Sequence, residues 1–277
     1  MKKRFATLII ALVALALTTG SAWASEITIG CAGGFQSTLA RLITAYETAT
    51  GTTNTWNITY ANMTALKQNV LNGINGPNDE SPYDILFSAD TEIPQDFVDN
   101  YLAYIGDKEN FSYAVGQLVL WSNNSSYNVS TTPQATLQAY DAASNSVITC
   151  STGGTYGLAA MEVVNAYGLN NYYNAGVMSQ VVSAITSESY PVGFVGNAQV
   201  SDGAGGYRTD FPNSTFYTYT NFAFETPFEQ AGVDFERDDQ DTTLMNDFID
   251  FVLGTGSYSS SDGPAIIQNY GYSLPQP

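Results

Sequence analysis

The sequence predicts an α/β chain folded into two lobes with a ligand cleft between them. Three observations carry this. Short apolar strand patterns alternate with segments of helical periodicity, the order that builds a parallel sheet with helices on its faces. That alternation occurs twice, once near the start and once in the middle of the chain. In each unit a strand runs into a small-residue turn, Gly33-Gly34 and Gly153-Gly154, before a helix. Open α/β sheets bind ligands at the carboxyl ends of their strands, where helix N-termini offer free N–H groups.

In the first unit, Glu26 to Cys31 reads as a buried strand ending in the turn Ala32-Gly33-Gly34. Gln36 to Thr50 carries Leu39, Leu42, Ile43 and Tyr46 at helical spacing, with Gly51 as its C-cap. Trp56 to Tyr60 alternates like a strand. Asn62 to Leu71 is a helix with Leu66 and Val70 on one face, and Asp84 to Ser88 is a third strand. In the second unit, Gln117 to Trp121 is a strand followed by a polar loop to Pro133. Val147 to Cys150 and Val192 to Val195 are strands, and Tyr156 to Tyr167 and Met178 to Thr186 are helices. Leu244 to Leu253, ended by Gly254, and a segment around Ala265 to Tyr270 are the closing helices.

The first residues read as an export address. Lys2, Lys3 and Arg4 precede an apolar run from Leu8 to Leu17, and Ala22-Trp23-Ala24 supplies small residues two apart. Cleavage near Ala24 leaves a chain of about 250 residues, enough for one large or two medium domains. No Cys follows that position to take a lipid, and no later stretch is long and apolar enough for a membrane helix. A hydrophobic fraction of 44% suffices for a proper core.

Charge and composition exclude several functions. The chain has 8 Lys+Arg against 26 Asp+Glu, and three of the basic residues lie in the export segment. Such an acidic protein has no basic face for nucleic acid or anionic lipid. It repels free anions at long range, so any anion site must work through short-range hydrogen bonds. There is no His, which removes the commonest general base and zinc ligand and makes a Ser-His-Asp arrangement unavailable. No Walker loop, dinucleotide fingerprint or EF-hand loop occurs. Asp79-Glu80 and Asp238-Asp239 read as solvated loop acids, and Asp247 and Asp250 as acids on a solvent-facing helix side. The reading is not an enzyme, with no cofactor and no metal.

At this point the sequence resembles the periplasmic molybdate-binding proteins of ABC importers. The resemblance is carried by Leu42 to Gly51, Tyr83 to Asp90, Tyr113 to Ser122, Val192 to Val195, Pro227 to Val233 and Ile266 to Tyr272, in the family's order. It implies the type II periplasmic binding protein fold. Lobe one would be residues 25–112 plus 225–277, and lobe two residues 113–224. It implies a monomeric periplasmic protein that closes over a small oxyanion, molybdate or tungstate first, and delivers it to a membrane permease.

The family's ligand positions fall on altered residues here. The Ser after the first strand falls at Gly34, beside Gly33, where only an N–H is offered. The Ser opening the next helix falls near Met63, with Thr64 beside it. The small residue at the second-lobe helix start falls near Tyr156, and the apolar residue opening the later helix near Met178. A Tyr after the buried strand falls at Gly196, with Asn197 next. Each has a plainer reading: Gly34 and Gly196 as turn glycines needing unusual dihedrals, Met63 and Met178 as core, Thr64 as a helix cap, and Tyr156 as packing.

The alternatives left open are another ligand on the same scaffold and an exported interaction protein that lost binding. That other ligand could be a different anion, a thio-anion or metal complex, or a small organic molecule. Cys31 and Cys150 each end a strand, one per lobe. Two buried thiols are one reading, a lobe-tying disulfide another, and a soft site with Met63 and Met178 a third.

Overall fold

A computed structural model describes residues 26–224 and 228–276; the export segment and its cleavage point lie outside the described residues. These residues form two five-stranded sheets, each between helical layers. The strands are β1 (Glu26–Ala32), β2 (Thr55–Ala61), β3 (Ile85–Phe87), β4 (Phe111–Val115), β5 (Leu118–Ser122), β6 (Val147–Thr149), β7 (Tyr172–Asn174), β8 (Val192–Gly196), β9 (Thr215–Thr218) and β10 (Glu229–Asp234). The helices are α1 (Gln36–Thr50), α2 (Met63–Ile74), α3 (Glu92–Asn100), α4 (Pro133–Ala142), α5 (Thr155–Tyr167), α6 (Met178–Thr186), α7 (Thr242–Leu253) and α8 (Gly263–Asn269).

Sheet one has the order β2-β1-β3-β10-β4 and sheet two β7-β6-β8-β5-β9. Both are mixed rather than purely parallel as expected. β10 runs antiparallel to β3 and β4, and β5 antiparallel to β8 and β9. The cause is the crossing of the chain. β4 ends in sheet one at Val115 and β5 begins in sheet two at Leu118, so the first crossing is Gly116-Gln117. The return leads from β9 to β10, and the two crossings touch where Gly116 N donates to Phe228 O at 2.8 Å.

The helices form where their apolar residues repeat on one face. In α1, Leu39, Leu42, Ile43 and Tyr46 are buried, and Gly51 ends the helix at φ 68°. They pack with Phe248 and Phe251 of α7 and Ile267 of α8 on one side of sheet one, while Leu66, Val70 and Phe97 of α2 and α3 cover the other. Lobe two repeats the plan, with α4 and α5 on one side and Val181 and Ile185 of α6 on the other. Asp247 is a correction: it accepts the hydroxyls of Tyr46 and Tyr258, each at 2.7 Å, instead of facing solvent. The acids Asp79, Glu80 and Asp238 line a cavity of about 560 Å³ at the back of lobe one.

Candidate functional site

Strand register sets two facing edges. β1 pairs in parallel with β2 up to Ala32 and Ala61, and with β3 up to Cys31 and Phe87. Gly33, Asn62 and Ser88-Ala89 therefore continue side by side off the carboxyl edge of sheet one. In sheet two, Thr149 lies opposite Asn174 and Ile148 opposite Gly193, which brings Ser151, Gly176 and Gly196 to the corresponding edge. Ser151 N donates to Gly176 O at 2.8 Å. The two edges meet. Thr155 Oγ1 donates to Ala89 O at 3.3 Å, and Gln199 Nε2 to Gly34 O at 3.2 Å.

Three helix N-termini open on these edges: α2 after Asn62, α5 after Gly154 and α6 after Val177. The first N–H groups of a helix have no intrahelical acceptor and carry its partial positive charge. Of the five full positive charges among the described residues, Arg41 is exposed on α1 and the other four are engaged elsewhere. Lys67, Lys108, Arg208 and Arg237 are paired with Asp96, Glu236, Asp210 and Asp84/Asp239 respectively. Asp90 on the sheet-one edge accepts Ile93 N at 2.9 Å and Ser88 Oγ at 3.2 Å. Apart from the Asp90 carboxylate, whose Oδ1 takes these two donors, the edges offer neutral dipoles.

Behind them lies an aromatic floor. The Tyr156 hydroxyl is 3.5 Å from Gln230 Nε2, and Gln230 Oε1 is 3.1 Å from the Tyr113 hydroxyl, which also donates to Ser88 O at 2.7 Å. The Tyr272 hydroxyl donates to Gly34 O at 3.1 Å. Burial pushes the Tyr113, Tyr156 and Tyr272 hydroxyls far above the ordinary phenol value, so all three are neutral donors at physiological pH.

A two-sheet fold with its carboxyl edges facing across a double crossing is that of ligand-binding two-lobed proteins. The family model described as "Bacterial extracellular solute-binding protein" matches residues 27–273. The chain belongs to this family. A search of curated protein sequences returned no match. Among solved structures, the Azotobacter vinelandii periplasmic molybdate-binding protein superposes with a TM-score of 0.67 at 22% identity, over 91% of this chain and 100% of that one. The substrate-binding domain of a molybdenum ABC transporter protein from Clostridium difficile gives 0.62 at 16%, over 91% and 100%. A tungstate ABC transporter protein from Geobacter sulfurreducens gives 0.57 at 12%, over 88% and 98%. At these identities the likeness establishes the fold, the type II periplasmic binding protein architecture with its cleft between the lobes.

In this solute-binding protein the residues singled out from sequence divide into two groups. Gly33, Gly34, Met63 and Thr64 lie on the sheet-one edge, and Tyr156, Met178, Gly196 and Asn197 on the sheet-two side. The turn-glycine reading is corrected, since neither Gly34 nor Gly196 has a positive φ. A Cβ on Gly33 or Gly34 would meet nothing within 4 Å, so their backbone faces open space. Gly196 is small for another reason: its Cβ would come within 2.8 Å of the Tyr156 ring. Thr64 is not the cap of α2, because Asn62 accepts Ala65 N at 2.9 Å. Met63 packs with the Leu66 and Phe97 cluster, and Met178 with the Val181 and Ile185 cluster. Asn197 is turned to the crossing, where its Nδ2 donates to Gln117 Oε1 at 3.0 Å.

Sequence reasoning missed Gln117, Gln230 and Gln199, whose partners are remote in sequence. Tyr113 and Tyr272 stood in the resembling segments but were not singled out. Cys31 and Cys150 are free and buried in separate cores, so no disulfide ties the lobes. Burial raises the Cys150 thiol to about 11 and Cys31 further, so both rest as neutral thiols. Among the described residues, no group of three His, Cys, Asp or Glu is placed to hold a metal ion.

Proposed function

We propose that this protein is an exported solute-binding protein that captures a small oxyanion, molybdate or tungstate first, and presents it to the permease of an ABC importer. One observation carries the reading. The open backbone at Gly33-Gly34 and the N-termini of α2, α5 and α6 share the facing edges of the two lobes, with no basic side chain among the candidate residues. Neutral N–H and O–H donors in a closing cleft suit a compact anion better than a cation, and they select by cavity size. The three structural relatives named for molybdate, molybdenum or tungstate support the same choice.

The ligand would lie against Gly33, Gly34, Met63 and Thr64 on lobe one and Tyr156, Met178 and Gly196 on lobe two, with Asn197 behind. Lobe one would be residues 25–112 plus 225–277 and lobe two 113–224, working as a monomer in the periplasm. Among the described residues no helix is long and apolar enough to cross a membrane.

A different anion is favoured by one observation: the Tyr156 phenol stands where the resembling family has a small residue. Thermal unfolding of the mature protein with molybdate, tungstate, sulfate, phosphate and tetrathiomolybdate separates the readings. At one hundred times its dissociation constant a specific ligand stabilises by about 2.7 kcal/mol. A rise with molybdate or tungstate and not sulfate is the expected result. No rise with either retires the molybdate reading, and a rise confined to another anion assigns the site to that anion.

A further inference from the structure

A second pocket of about 270 Å³ lies at the seam between the lobes, behind the Tyr272 side of the cleft floor. Gln117, Asn197, Ser201 and Tyr207 of lobe two line it together with Gln268 and Tyr272 of the closing segment. We propose that this seam pocket, beside the anion cleft, binds a small uncharged polyhydroxyl compound of about monosaccharide size.

The lining sets the class. No carboxylate, ammonium or guanidinium is among its side chains, and an ion buried without a counter-charge is strongly disfavoured. Amides and hydroxyls from several directions, with two aromatic rings among the walls, match a molecule that carries many hydroxyls on a C–H framework. The volume of about 270 Å³ lies just below the usual range of ligand pockets, about 300 to 1,000 Å³, which limits the occupant to a small molecule.

The walls are held in place before any ligand arrives. Asp202 Oδ1 accepts Ala204 N at 2.8 Å and Gly206 N at 2.9 Å, and Asp202 N donates to Gly206 O at 2.9 Å, which fixes the loop before Tyr207. Ser201 Oγ donates to Asn269 O at 2.8 Å and Gly205 N to the same oxygen at 3.2 Å, locking the loop onto the other lobe. Gln117 Nε2 donates to Ser273 Oγ at 3.0 Å while Gln117 Oε1 accepts from Asn197 Nδ2. Among the described residues, these bonds leave the half-buried Asn197 Oδ1 and the exposed Gln268 amide open to solvent, an acceptor and a donor–acceptor pair on opposite lobes that an occupant can engage in place of water. Because both lobes contribute, an occupant binds the closed arrangement better than the open one and shifts the population toward it.

Calorimetric titration of the mature protein tests this, since polyols raise the unfolding temperature of any protein by exclusion from its surface. The probes are D-xylose, D-ribose and myo-inositol, with sodium acetate and tetramethylammonium chloride as charged comparators and no oxyanion present. The expected result is a saturable one-to-one isotherm with at least one neutral probe, weakened tenfold or more in Gln268→Leu and in Tyr207→Ala. Asn246→Ala, which borders the far cavity of lobe one, should leave it unchanged. The proposal is overturned if no neutral probe saturates, if a charged comparator binds more tightly, or if both pocket variants bind like the wild type.

Discussion

The Tyr156 hydroxyl occupies the space a side chain on Gly116 would need. A Cβ there would overlap the hydroxyl oxygen and stand 3.1 Å from the ring carbon that bears it. Gly116 is the first residue of one crossing between lobes, and Phe228, 5.8 Å from the Tyr156 ring centroid, belongs to the other. One lobe-two side chain is therefore fitted against both connections between the lobes.

That fit predicts a non-additive pair. Gly116→Ala forces atoms into an occupied space and should cost about 1–3 kcal/mol. Tyr156→Phe deletes the overlapping oxygen, so the same alanine should cost at least about 0.5 kcal/mol less in that background. A double-mutant cycle by denaturant unfolding reads this coupling; strictly additive costs would mean that the two residues do not share the space.

Gly34 offers the converse case. Its φ is not positive and its Cβ would face open space, so Gly34→Ser should leave stability within about 0.5 kcal/mol. It also restores a hydroxyl where the resembling family has one. A hydrogen bond to a charged partner is worth about 1.5–3 kcal/mol, so molybdate affinity should rise about tenfold or more by calorimetry. Unchanged or lower affinity with an intact fold would show that the anion does not approach this turn.

Gln199 supplies one of the bonds that join the two facing edges. The Gly34 carbonyl receives Gln199 Nε2 from lobe two and the Tyr272 hydroxyl from its own lobe. Losing one such bond costs about 0.5–1.5 kcal/mol. Gln199→Ala should therefore shift the ligand-free protein toward the open form by roughly twofold to tenfold. Small-angle scattering would register a larger radius of gyration, restored by saturating ligand. An identical radius in the variant and wild type would place the control of closure elsewhere.

Local signals explain what was legible in the sequence. The helix Met178–Thr186 and the glycine C-caps at Gly51, Gly168 and Gly254, all with positive φ, follow from periodicity and glycine chemistry. α3 escaped because only Pro94 and Phe97 of its nine residues are buried, too few to mark a face. β10 escaped because Gly232 interrupts its apolar pattern, which the close Phe111 ring requires. At the site, Gly34 was marked by the small-residue turn as well as by the resemblance, and Tyr156 by the resemblance. The match of Gly116 and Gly196 to one phenol was not, since residues forty or more positions apart leave no periodic trace.

Asp234 gives the pH dependence. It lines the far cavity of lobe one, is 1% exposed, and accepts Asp107 N at 3.2 Å. Burial first, and then the Asp107 charge, push its carboxyl up to about 6. A folded-state value above the unfolded carboxylate range of about 4 means that the folded protein holds the proton more tightly. This stabilising contribution is fully present below about pH 4 and is lost as pH rises through about 6. A two-unit shift corresponds to roughly 2–3 kcal/mol. Asp234→Asn keeps an acceptor for Asp107 N and carries no charge, so its stability relative to wild type should increase by about 2 kcal/mol between pH 4 and pH 7. Denaturant unfolding of both proteins across that range measures the difference directly, with shifts from other carboxylates such as Asp84 common to both. A difference independent of pH would show that Asp234 ionises in the folded protein as it does in the unfolded chain.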